Sequence, residues 1–178
     1  MKAMTMPVGQ MLVSVRAPCA CVKIAGRVTF TSSLDFKALL NELLRQGFTR
    51  FVIDLSECVL MDSTFLGVLA SFGLKFHTPQ PDLMQRSLDL FNPSERVMEL
   101  LDTLGVLELF HVVRGETAPT QDAEARALTP TNPTRDEVKR NCLEAHELLM
   151  AVNPANIARF KDVAAFLTED LKKNNTPV

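Results

Sequence analysis

Asp62-Ser63-Thr64 is where this chain is best equipped to do chemistry. A short apolar strand over residues 51–55 ends at polar residues. A turn follows, and Asp62-Ser63-Thr64 then opens a second apolar run. That spacing predicts a serine hydroxyl in the first turn of a buried helix. Backbone N–H groups without intrahelical partners collect at such a place, and the helix dipole favours negative charge. A phosphate on Ser63 would be tolerated by the fold, yet would change the local charge by about −1.5 to −2. This is the chemistry of a switch rather than of a catalyst. Asp62 reads either as the helix N-cap or as the group that orients the Ser63 hydroxyl. Thr64 is a second hydroxyl, for which packing or capping is the commoner role.

Other candidate groups carry less. Cys19 and Cys21 are two apart on a strand and share one face, which fits buried thiols better than a metal site. Cys142 and His146 are one helical turn apart, but two ligands without a second pair elsewhere do not make a zinc site. Ser63 and a lone histidine could be named nucleophile and base, but nothing in the sequence sets their geometry. There is no Gly-x-Ser-x-Gly elbow, no phosphate-binding P-loop and no paired metal motif, so no enzyme activity and no cofactor are expected.

The elements that must hold Ser63 follow from periodicity. Residues 11–16 and 19–25 alternate apolar and polar and read as two half-buried strands joined at Pro18, with Gly26 ending the second. Ser32 and Asp35 are spaced as a capping box for a helix with Phe36, Leu39, Leu40, Leu43 and Leu44 on its apolar face; Gly47 is its C-cap. The 51–55 run suits a strand buried on both faces. The helix from Ser63 carries Leu66, Leu69, Ala70 and Phe76, and prolines in the loop over 77–82 stop it. Residues 85–90 read as another strand. Asn92-Pro93-Ser94-Glu95 starts a helix lined by Val97, Leu100, Leu101 and Leu104. Residues 107–113 form a helical turn leading into a last strand. Residues 115–133 have no sustained apolar period and read as a linker. Thr134 and Glu137 form a capping box for a helix striped by Val138, Cys142, Ala145, Leu149 and Val152. Asn153-Pro154 restarts the chain, and Ile157, Phe160, Ala164, Leu167 and Leu171 make a heptad-like seam. This helical hairpin is too small to bury both stripes alone. It must pack on the first domain, on a second copy to give a homodimer, or on a partner.

The totals bound the class. A 178-residue chain holds one domain plus an appendage. With 47% hydrophobic residues and neither Trp nor Tyr, the aromatic core must come from the 11 Phe. The charge balances through Arg114 and is −2 from Gly115 onward, which excludes a basic field for nucleic acid or acidic lipid. No apolar run is long enough for membrane insertion. Arg16 interrupts the N-terminal apolar stretch, which argues against a signal peptide. Four Cys without framework spacing point to a reducing, cytoplasmic setting.

Asp54-Leu55, Met61-Asp62-Ser63-Thr64 and Leu66-Gly67-Val68-Leu69 together resemble the signature of the STAS family, the domain of bacterial anti-sigma factor antagonists. Asn92-Pro93-Ser94, Val97, Leu100-Leu101, Leu104-Gly105 and Leu109-Phe110 are similar to that family's closing strand and helix. The resemblance spans residues 8 to 114. It implies an α/β fold: a mixed, mostly parallel sheet of four or five short strands with packed helices. Here residues 1–114 would form the STAS domain, 115–133 a linker and 134–178 a helical hairpin appendage. It also implies a partner-switching protein. Ser63 would be the phosphoacceptor of a serine kinase that is also the anti-sigma factor, and a PP2C-type phosphatase would reset it. Asp62, Ser63, Thr64 and Phe65 would form the partner-binding surface. Two positions depart from the pattern. Phe65 stands where the family has glycine, either as an added hydrophobic anchor or as a mark of lost phosphorylation. Gly26-Arg27-Val28-Thr29 stands for Gly-Glu-Leu-Asp. The alternative reading is a STAS-type structural adaptor without phosphorylation, held in a transporter-associated or signalling complex.

Overall fold

Alternation between Met11 and Ile24 builds an antiparallel pair, β1 (Gln10–Arg16) and β2 (Cys19–Val28), in a computed structural model that describes residues 9–77, 86–120 and 123–174. Strands β3 (Arg50–Met61), β4 (Ser87–Phe91) and β5 (His111–Val113) follow β2 in parallel. Strand β6 (Arg126–Ala127) pairs antiparallel with β1 at Leu12 and Val13. The order across the sheet is β5-β4-β3-β2-β1-β6. The expected α/β architecture is present, with β6 as an additional sixth strand.

Side chains alternate between two faces. Ala20, Val22, Ile24, Phe51, Ile53, Leu55, Leu88 and Leu90 enter the main core with α1 (Phe30–Arg45) and α2 (Ser63–His77). Cys19, Cys21, Val52 and Phe91 form a smaller cluster on the other face, against Val113 and Ala118. Helix α3 (Glu95–Thr103) starts at Ser94, whose hydroxyl accepts from the Val97 N–H at 3.3 Å.

Four local expectations change. Strand β3 does not turn after Leu55. It stays paired with β2 through register shifts at Lys23/Ala25 and Gly26/Arg27, until Met61 faces Val28. Gly26 does not end β2; it adopts φ 77 at the second shift, a conformation open to glycine, and lets the strand continue. Helix α1 begins earlier than expected: the Thr29 N–H donates to Ser32 Oγ at 3.3 Å, and Asp35 is free for another partner. That partner is Thr131, whose N–H donates to Asp35 Oδ1 at 3.1 Å and whose hydroxyl donates to the same oxygen.

Thr131 belongs to the segment expected to be a bare linker. It is instead a strap. Thr120 is buried and shares a hydrogen bond with Ser14 at 2.6 Å, β6 pairs with β1, and Leu128 packs on the core. The hairpin follows as α4 (Arg135–Val152), a 3₁₀ turn (Pro154–Asn156) and α5 (Ile157–Asn174). Its entry is capped as expected: the Glu137 N–H donates to Thr134 Oγ1 at 3.2 Å, and the Thr134 N–H donates to Glu137 Oε2 at 2.7 Å. His77, expected to open the loop over 77–82, is the last residue of α2; the rest of that loop and the first residue of the strand expected over 85–90 lie outside the described residues, as do residues 1–8, 121–122 and 175–178.

Candidate functional site at the start of helix α2

The end of β3 delivers Asp62 to a point where two helices begin. Its N–H donates to the Val28 carbonyl at 3.2 Å. One carboxylate oxygen accepts from the Phe65 N–H at 2.8 Å and caps α2. The other accepts from the Phe30 N–H at 2.7 Å and caps α1. An acceptor shared in this way satisfies donors that neither helix can satisfy itself. Asp62 is thus an N-cap, one of its two expected roles.

Ser63 follows as the first residue of α2 and is half-buried. Its hydroxyl is not directed freely to solvent. It shares a 3.0 Å hydrogen bond with Nε2 of His146, on α4. Thr64 is 4% exposed, and its hydroxyl donates to Cys142 Sγ at 3.7 Å, also on α4. Phe65 is 0% exposed and packs on Phe36 with ring centroids 4.8 Å apart and planes tilted by 35°. The expectation that Thr64 and Phe65 shape an exposed docking surface is therefore corrected. One lies under α4 and the other fills the core between α1 and α2. Of the four residues expected there, Asp62 and Ser63 keep some exposure.

Helix α4 lies across α2 and α1. At Gly67 the two backbones meet: a Cβ there would stand 2.6 Å from the Ala145 carbonyl oxygen. Next to it, Asn141 Nδ2 donates to Ser33 Oγ at 2.9 Å, and Lys37 pairs with Glu144 at 2.6 Å. His146 is 7% exposed and lies against the Phe160 ring of α5 at 4.7 Å. Burial pushes its pKa below the usual 6.5, opposed by the Cys142 backbone and the Asp62 charge. Burial likewise raises the Cys142 thiol, against a lowering contact from Thr64 and with Asp62 raising it further. A neutral imidazole and a protonated thiol suit packing and hydrogen bonding. Among the described residues, no group of three His, Cys, Asp or Glu is placed to hold a metal.

His146, Asn141 and Gly67 were not assigned to this site from sequence. The available signal was the Cys142/His146 spacing, which puts both on the stripe with Ala145 and Leu149. Periodicity gave no reason to aim that stripe at Ser63.

The comparisons agree with this fold. A family model described as "Mlab, STAS domain" matches residues 11–111. A search of curated proteins finds no match. Among solved structures, the unphosphorylated form of the anti-sigma factor antagonist SpoIIAA is similar, with 17% identity and a TM-score of 0.50 over 60% of this chain and 88% of that one. The phosphorylated form of SpoIIAA, described as a Bacillus cell fate determinant, gives 16% identity and a TM-score of 0.48 over 60% and 91%. The strap and hairpin follow the matched segment. With more than half of its length matched by the family model, this chain belongs to the STAS domain family.

Proposed function

We propose that this protein is an anti-sigma factor antagonist-like regulator of the cytoplasm, which binds a serine kinase that is also an anti-sigma factor and is released when Ser63 is phosphorylated. A PP2C-type phosphatase would return it to the binding form. The observation that carries this reading is the position of Ser63, one residue after a doubly engaged N-cap and at the positive end of α2. A dianion there stands beside the Asp62 carboxylate. A partner that must desolvate this surface would meet two adjacent negative groups and be repelled. Ser63→Ala should bind the partner and resist switching, whereas Ser63→Asp should bind more weakly. A pull-down with both variants from bacterial lysate, with mass spectrometry of Ser63 after incubation with ATP, checks this. Equal capture by the two variants overturns it.

A second reading is a constitutive STAS-type adaptor in a transporter-associated or signalling complex. It is favoured by one observation, that the Ser63 hydroxyl is already bonded to His146. In that case Ser63 gains no phosphate under any condition and both variants co-purify with the same assembly.

A further inference from the structure

Helix α4 holds the face of α1 and α2 that surrounds Ser63, and it holds that face unevenly. Up to His146 its hydrogen bonds to α1 and α2 are polar side-chain contacts: Asn141 to Ser33, Cys142 to Thr64 and His146 to Ser63. Such bonds exchange with water at small net gain. Asn141 Oδ1 and His146 Nδ1 are buried without a hydrogen-bond partner, as is Oδ1 of Asn156 at the turn. Beyond His146 the helix is apolar and fixed. Leu149 is fully buried, and Val152 packs on the same core. At the turn, Asn156 Nδ2 donates to the Leu104 carbonyl at 2.9 Å and the Leu149 carbonyl at 2.8 Å, tying hairpin and domain together. Within the part up to His146, Ala145 packs on Gly67, whose lack of a side chain allows this close approach.

We propose that α4 is a displaceable occupant of a helix-docking face, and that its part up to His146 lifts from α2, with the Asn156 turn as pivot, to make room for a partner's amphipathic helix. The fitting partner helix carries a small residue opposite Gly67. One turn away it presents side chains able to hydrogen-bond Ser63 and Thr64, as His146 and Cys142 do in cis. Closed, the hairpin keeps Ser63 from a kinase and from a partner alike; open, it yields both. Only this last consequence rests on the Ser63 switch.

The test uses the full chain. In hydrogen–deuterium exchange of the wild type, residues 135–146 and 63–67 should exchange together, about tenfold faster than 149–156. A single common rate for all three segments overturns the proposal. Gly67→Ala places a methyl against Ala145 and should speed exchange in 135–146 further. Thr64→Cys, oxidised to a disulfide with Cys142, should slow it, and a reductant should restore it. The locked variant also serves if Gly67→Ala loses its cooperative melt. In lysate with ATP, phosphate should reach Ser63 about tenfold faster in Gly67→Ala than in wild type and not at all in the locked form. Equal labelling of all forms overturns the cover and leaves the switch standing. No labelling of any form, with the exchange pattern as expected, overturns the switch and leaves the cover standing.

Discussion

Asp62 secures two helices with one side chain, so its loss reaches beyond α2. Asp62→Ala leaves the Phe30 and Phe65 N–H groups without their acceptor. Charge-assisted bonds of this kind support a loss of about 2 kcal/mol, read as a lower urea midpoint with an unchanged slope. Phe65→Ala should cost more, about 4 kcal/mol, because the ring is sealed against Phe36 and leaves a cavity. A surface anchor would lose far less, so denaturant unfolding distinguishes the two roles. His146 brings a pH dependence. Burial lowers its folded pKa below 6.5, so the unfolded chain takes the proton first. The contribution to stability is complete above 6.5 and is lost as pH falls below it. Ser63, Asp62, Cys142 and Phe160 are the groups facing the ring, and Asp62 moderates the effect. Melts between pH 7 and 5 should show wild type losing more than His146→Gln. Ser63 at a helix start and its capping aspartate were legible in the sequence, because helix starts have a local code. The histidine was not, because 83 residues separate it from Ser63 and only tertiary packing joins them.

Helix α2 shows how far an element can be read from its own pattern. Leu66, Leu69, Ala70 and Phe76 gave one face, yet Phe65, Val68 and Phe72 are buried as well. A helix apolar on all sides needs more than a sheet beneath it. Here α1 and α4 supply the remaining cover. That reading was available in the composition of the run, but which element would cover it was not. Strand β3 outran its expected end for a related reason. Ser56 and Glu57 look like a turn in isolation, while pairing with a ten-residue β2 keeps them extended. At the hairpin turn, local signals sufficed: Asn153-Pro154 restarted the helix as expected, with the Ala155 N–H donating to Asn153 Oδ1 at 3.1 Å. Asn156 does more than turn the chain. Asn156→Ala would leave two buried carbonyls without that donor and should cost about 2 kcal/mol, measured by urea unfolding.

For the molecule as a whole, the hairpin folds back on its own chain and leaves Phe166 64% exposed on the outer side of α5. The strap is not legible in the sequence because its structure is borrowed. Two residues of β6 have no strand pattern of their own and are ordered by β1. That pairing carries a consequence for any attempt to isolate the family's minimal unit. Cutting at Arg114 strips β6 from Leu12 and Val13 and bares a row of main-chain donors and acceptors along β1. It also takes Ala118 off the cluster of Cys19, Cys21, Val52 and Phe91. A fragment ending there should self-associate edge to edge and scavenge other strands more than one ending at Thr134, since both lack α4 and only the first also lacks β6. Sedimentation of the two fragments separates these outcomes. The strap is the molecule's selvedge, finished so that the weave cannot be continued by a stranger's thread.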